Sequence, residues 1–170
     1  MFVDKDGTLV VNVPYNVDPM LVKLTPRAED AIWSLSDKGY RVIVVSNQPG
    51  AALGKFAEEK LKDLEQHLRT LLPALDGFYY CPHHPQAGCD CRKPAPGMIE
   101  RAAREHDVEL AQSWLIGDIL DDIEAGRRAG CRTILLDVGN ETEWRAGEQR
   151  VPHYVARDLG EAAAIIAAAP

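Results

Sequence analysis

Met1-Phe2-Val3-Asp4-Lys5-Asp6-Gly7-Thr8 decides the fold. The apolar run over residues 1–3 reads as the end of a buried strand. Gly7 breaks it and lets the chain turn. Asp4 and Asp6 are thereby delivered to the tip of a strand. In a parallel α/β sheet that tip is where ligands bind. Asp4 is a candidate nucleophile toward phosphorus, since carboxylates form aspartyl-phosphates. Asp6 is a candidate acid and base, two residues on. A bare Asp-x-Asp is more often an acidic turn after an edge strand; the partners found downstream reverse that preference.

Working outward, strand-like and helix-like segments alternate. Residues 10–24, interrupted by Pro14 and Pro19, read as a loop crossing near Asp4. Thr25-Pro26 reads as a helix start, with Thr25 as N-cap and Pro26 at the first helical position. Ala28, Ile32 and Leu35, with Trp33 as a further candidate, give that helix its apolar face, and Gly39 closes it. Residues 41–45 (RVIVV) form a β-branched run typical of a central parallel strand. It ends in Ser46-Asn47-Gln48-Pro49-Gly50. Residues 56–72 predict a second helix, striped by Leu61, Leu64, Leu68, Leu71 and Leu72. Residues 77–80 predict a short strand, and Pro96 opens a third helix running to about His106. Residues 114–117 predict a fourth strand with Asp118 at its tip. Residues 122–129 predict a fourth helix, residues 132–136 a fifth strand and residues 153–156 a sixth. Asp158 caps a final helix. Residues 137–152 show little regular pattern; Trp144 and Arg145 either reach over a pocket or cover a helix. The alternation predicts an α/β fold of three layers, α/β/α, around a Rossmann-like parallel sheet with right-handed crossovers. Asp4, Ser46 and Asp118 then follow strands on one side of the sheet and can converge.

The chain has 170 residues, consistent with one domain. Apolar residues make up 46% and charged residues 26%, an ordinary globular balance. A net charge of −7 argues against a general nucleic-acid surface, so phosphate binding needs a local metal and local Lys or Arg. No basic-then-apolar leader opens the sequence. The apolar stretch over residues 162–169 is too short to span a bilayer. These features lead to the expectation of a cytoplasmic protein, without nucleic-acid or membrane partners, acting as a monomer on a small phosphorylated molecule.

Hydrolysis of a phosphomonoester needs a nucleophile, an acid, a metal and donors for the phosphate oxygens. Asp118 with Asp4 makes a hard oxygen site suited to Mg²⁺. Asp122, four residues on, could hold a metal-bound water or position Lys93. Ser46 and the Asn47 backbone could donate to phosphate oxygens, and Lys93, next to Arg92, could offset charge in transfer. Taken singly, residues 118–122 equally suit an acidic helix start, Ser46-Asn47 a turn, and Lys93 a solvated lysine. The set and its order carry the reading.

Residues 81–91 (CPHHPQAGCDC) hold three of the four cysteines. Close Cys and His in a cytosolic chain favour zinc over disulfides. Cys81, His83, Cys89 and Cys91 would make a closed Cys₃His tetrahedron, structural rather than catalytic. His84 is the rival for the histidine place and, being adjacent, is expected to point away. The metal would staple the segment that leads into Arg92 and Lys93. Cys131 lies apart and reads as a small buried apolar residue.

With DKDGTL at residues 4–9, SNQ at 46–48, KP at 93–94 and GD…DD over 117–122, the chain resembles the haloacid dehalogenase superfamily. CPHH…CDCRKPAPGM further resembles its D-glycero-D-manno-heptose-1,7-bisphosphate phosphatases and the related histidinol-phosphate phosphatases. The resemblance covers roughly residues 1–136 and implies no large cap domain. It implies Asp4 as nucleophile, Asp6 as acid and base, and Mg²⁺ held by Asp4, Asp118 and the Asp6 backbone carbonyl. Ser46, Asn47, Arg92 and Lys93 are implied at the substrate phosphate, with structural Zn²⁺ on Cys81, His83, Cys89 and Cys91. Leu53 stands where the family has Arg, and Ile119 where a Lys often follows Gly-Asp. The loop between His84 and Cys89 has the shorter, histidinol-phosphate length, whereas Pro96-Gly97-Met98 favours the heptose type. The implied activity is a Mg²⁺-dependent sugar phosphatase, with heptose 1,7-bisphosphate foremost and histidinol phosphate or another phosphosugar as the alternative. A zinc-stapled module that binds a phospholigand without turning it over is the reading of another class.

Overall fold

The computed structural model describes residues 1–169. Six parallel strands form one sheet: β1 (Phe2–Val3), β2 (Val42–Asn47), β3 (Leu75–Cys81), β4 (Trp114–Gly117), β5 (Arg132–Leu136) and β6 (Tyr154–Ala156). Their spatial order is β3-β2-β1-β4-β5-β6. The chain winds outward in both directions from β1, so the topological switch lies between β1 and β4. Asp4 extends β1 across that switch, its N–H donating to the Ile116 carbonyl at 2.9 Å.

Five helices cover the two faces: α1 (Ala28–Asp37), α2 (Lys60–Leu71), α3 (Gly97–His106), α4 (Leu120–Arg128) and α5 (Leu159–Ala168). Strand periodicity sorts the core. Val3, Val42, Val44, Trp114 and Ile116 face α1, α2 and α5. Phe2, Ile43, Val45 and Leu115 face α3 and Ala125 of α4. Both faces of the central strands are buried, which is why their sequence is a continuous apolar run. The structure thus has the α/β/α arrangement the alternation implied. Among the described residues, no helix is long and apolar enough to cross a membrane.

Three helix starts differ from the sequence reading, those of α1, α2 and α4, the last beginning at Leu120 rather than residue 122. Trp33 of α1 is half exposed and off the buried face. Thr25 does not cap α1, which begins at Ala28 after Arg27 in the left-handed region. The Thr25 hydroxyl instead donates to the Thr8 carbonyl at 2.6 Å, tying this loop to the turn after Asp6. The second helix begins at Lys60 rather than residue 56. Phe56 is used in packing: a Cβ on Gly50 would lie 2.1 Å from its ring. Strand β4 and strand β5 match the expected bounds, and Asp158 caps α5 by accepting from the Glu161 N–H at 2.8 Å.

That cap gives a test of the outer layer. Asp158→Ala should cost about 1 kcal/mol, lowering the melting temperature by about 2–4 °C in a chain this size. Asp158→Asn should keep most of the cap, and equal losses in both variants would contradict its assignment.

Candidate active site

The strand tips bring together residues far apart in sequence. Lys93 is buried, 3% exposed, and its ammonium donates to Asp4 Oδ1 and to the Val45 carbonyl. It also lies 2.6 Å from Asp122 Oδ1. One cation thus bridges two buried carboxylates, Asp4 and Asp122. Asp118 joins them: one oxygen each of Asp4, Asp118 and Asp122 lies within 4.8 Å of the others. Its Oδ1 accepts from the Thr8 hydroxyl and its Oδ2 from the Asn140 amide, both at 2.8 Å.

Three buried carboxylates against one ammonium leave an excess of two negative charges. That donor set suits a hard divalent cation with few protein ligands. Burial is the largest cause that pushes Asp4 up, to about 7; Lys93 opposes the shift, and Asp122 and Asp6 add to it. Asp118 is pushed up to about 6, by burial and then by Asp4. Burial also raises Asp122, and Lys93 opposes it. Burial alone would push Lys93 down, but Asp122 and Asp4 more than reverse this and keep it charged.

Asp6 sits apart from this cluster. Its side chain is 28% exposed against 9% for Asp4, so it faces the opening. Lys5 reaches its Oδ1 at 2.5 Å, and the Gln48 amide donates to its Oδ2 at 2.8 Å. The same amide donates to Ser46 Oγ at 2.8 Å, leaving the serine proton to be donated elsewhere. Gly7 lets the chain turn back here, with φ +88°. A Cβ on it would fall 2.2 Å from Asp118 Oδ2. Asn47 spends its side chain on Lys93, accepting from its N–H at 3.0 Å and donating to its carbonyl at 3.1 Å. Arg92 has a buried Nη1 without a hydrogen-bond partner.

Cys81 ends β3, and the loop that follows gathers the four expected side chains. Cys81 Sγ lies 3.4 Å from His83 Nδ1, 3.6 Å from Cys89 Sγ and 3.1 Å from Cys91 Sγ. His83 Nδ1 lies 3.1 Å from Cys91 Sγ, and Cys89 Sγ lies 3.6 Å from Cys91 Sγ. A tetrahedron with zinc–sulfur bonds of about 2.3 Å has edges of about 3.7 Å, near these spacings. The thiols are free. Burial pushes the Cys89 thiol up, but hydrogen bonds from the Arg92 backbone and the neighbouring thiols outweigh it and set it at about 7. His84 turns to its own loop, accepting from the Gln86 N–H at 3.2 Å.

Sequence reasoning missed Lys5, Thr8, Gln48, Asn140 and Glu141. The first three lie inside or beside the recognised segments. Asn140 and Glu141 come from a stretch without periodicity, and only their place after the tip of β5 could have flagged them. Trp144 does not reach over Asp4; it lines a separate cavity with Leu120, Leu135 and Val155. Cys131 is buried in the core, as expected.

Residues 90–162 match the HAD-hydrolase-like family model. D-glycero-beta-D-manno-heptose-1,7-bisphosphate 7-phosphatases from Haemophilus ducreyi and Escherichia coli K12 are each 37% identical to the chain over 147 residues. The match covers 80% of this chain and 81% and 77% of those proteins. Among solved structures, D,D-heptose 1,7-bisphosphate phosphatase from B. bronchiseptica, complexed with magnesium and phosphate, aligns with a TM-score of 0.84 at 30% identity. It covers 98% of this chain and 97% of that one. A putative HAD-like phosphatase from Mesorhizobium loti aligns with a TM-score of 0.79 at 31% identity, covering 97% and 84%.

The raised carboxylates set a pH dependence. A carboxyl whose folded pKa exceeds its unfolded value holds its proton more tightly in the folded state, so stability falls as pH rises between the two. The window runs from the ordinary value of 3.8 to about 7 for Asp4 and about 6 for Asp118. Thermal melts of Mg²⁺-depleted protein should show stability declining across that window, with saturating Mg²⁺ flattening the decline. A metal-free profile that rises through the window would contradict the burial of these charges.

Proposed function

The chain belongs to the heptose-1,7-bisphosphate 7-phosphatase family of the haloacid-dehalogenase-like hydrolases, and on that footing we propose that it removes a phosphoryl group from a small phosphorylated sugar. D-glycero-beta-D-manno-heptose 1,7-bisphosphate is the substrate the reading names, with the 7-phosphate as the group removed. The observation that carries it is the Lys93 ammonium shared by Asp4 and Asp122 beside Asp118, at the sheet's switch point.

Lys93 holds Oδ1 of Asp4, and Oδ2 attacks phosphorus. The bond from phosphorus to the sugar oxygen breaks as that oxygen takes a proton from Asp6. Water then attacks the phosphorus of the phospho-aspartate while Asp6 takes back a proton, freeing phosphate and restoring Asp4. The exposure of Asp6 toward the opening, with Lys5 and Gln48 orienting it, supports its role at the leaving group. Ser46 and the Asn47 N–H bind the phosphate oxygens, and Lys93, whose three protons serve Asp4, Asp122 and the Val45 carbonyl, offsets at the phosphate the charge that builds up in transfer. The unpartnered Nη1 of Arg92 supports a place for it beside a substrate anion. Asp4, Asp118 and the Asp6 backbone carbonyl would hold Mg²⁺, which when bound neutralises phosphate charge. Cys81, His83, Cys89 and Cys91 would hold a structural Zn²⁺, fixing the segment that carries Arg92 and Lys93. Free thiols in such a cluster fit the reducing cytoplasm.

Phosphate release in Mg²⁺ should be compared across heptose 1,7-bisphosphate, histidinol phosphate and several hexose phosphates. Highest kcat/KM is expected on the heptose bisphosphate. Preference for histidinol phosphate would replace the substrate assignment, and no release from any, with Mg²⁺ bound, would point to a phospholigand-binding module. Asp4→Asn should lose turnover by about a thousandfold or more while keeping its circular dichroism spectrum. For the second metal, elemental analysis should find zinc in the purified chain, and Cys89→Ser should lose most of it together with thermal stability. Wild-type zinc content in that variant would refute the ligand set.

A further inference from the structure

We propose that Asn140 and Glu141 form a clip that orients Asp118 for its divalent cation, which makes Asn140 a positioning residue of the metal site. The inference rests on the metal reading above and adds residues that belong to none of the short motifs at 4–9, 46–48, 93–94 and 117–122. Asp118 is held from two sides. Thr8, fully buried, fixes Oδ1, and Asn140 fixes Oδ2. Both donors are neutral. They set the plane of the carboxylate without cancelling its charge, whereas Asp4 and Asp122 share the Lys93 cation. Asp118 is therefore the carboxylate whose direct hydrogen-bond partners leave its charge to a metal.

Glu141 anchors the loop that carries Asn140. Its Oε2 accepts from the Leu120 N–H at 2.7 Å, and its Oε1 from the Glu143 N–H at 2.6 Å. Leu120 is the first residue of α4, two positions beyond Asp118, so the carboxylate also meets the positive end of that helix. The loop after β5 is thus pinned to the segment it orients. Gly7 completes the fit: a Cβ there would lie 2.4 Å from Asn140 Nδ2, so only glycine leaves room for this amide. Groups that hold a metal-ligating carboxylate typically change metal affinity by about 10–100-fold when removed.

The test is Mn²⁺ binding, read by electron paramagnetic resonance on zinc-containing, substrate-free protein. Asn140→Ala should weaken binding about tenfold, the low end of that range. Glu141→Ala should weaken it too, while Glu141→Gln, which keeps an oxygen for the Leu120 N–H, should retain most of the affinity. This pair carries the test if Asn140→Ala folds poorly. In turnover, the Mg²⁺ concentration for half-maximal rate should rise with the loss of affinity, and kcat at saturating Mg²⁺ should fall far less. Wild-type Mn²⁺ affinity in Asn140→Ala, or a drop in kcat with unchanged metal affinity, would overturn the proposal. Asp118→Ala separates the two levels of the account. If it binds Mn²⁺ as the wild type does, the metal site itself is misassigned and the clip falls with it. If it abolishes binding while Asn140→Ala and Glu141→Ala do not weaken it, only the clip fails.

Discussion

One buried ammonium organises this protein. Lys93 draws Asp4 from the end of β1 and Asp122 from α4 into a single charge cluster, and its own backbone is clamped by Asn47 at the end of β2. Burying such charges is costly, and removing one partner of a buried pair typically costs about 3–5 kcal/mol because the other is left uncompensated. The sheet accepts that cost where its topology reverses, between β1 and β4. Lys93 covers only part of the negative charge there. The remainder, centred on Asp118, is what a divalent cation would complete.

The zinc-type loop belongs to the same constraint. Cys81 is both the last residue of β3 and a member of the thiol cluster. Cys91 is separated from Lys93 by Arg92 alone. A closed metal site at 81–91 would therefore fix where the chain re-enters the active site, and Asn47 fixes it from the strand side. Two unrelated devices, a Cys₃His metal tetrahedron and a side-chain amide, would hold one lysine in register with one aspartate.

Much of this was legible in the sequence. The RVIVV run and residues 114–117 read as buried parallel strands because both their faces lie in the core, and Asp118 follows directly. Cys81, His83, Cys89 and Cys91 were legible because metal ligands cluster at short spacings. Helix starts were less so: Thr25 has the chemistry of a cap, but the chain runs three residues further before α1 begins, with Arg27 in the left-handed region at its start, and the Thr25 hydroxyl is turned to the Thr8 carbonyl. Asn140 and Glu141 left no local signal. Their partners, Asp118 and Leu120, lie 22 and 21 positions away, and an irregular loop has no period to betray its contacts.

The central claim is that Asp4 becomes covalently phosphorylated during turnover. Acid-quenched samples from the first turnovers, with heptose bisphosphate radiolabelled at the 7-phosphate, test it most directly. The account predicts hydroxylamine-labile label on the peptide that contains Asp4, absent in Asp4→Asn. Steady phosphate release with no label on the protein, or with label on another residue, would contradict it.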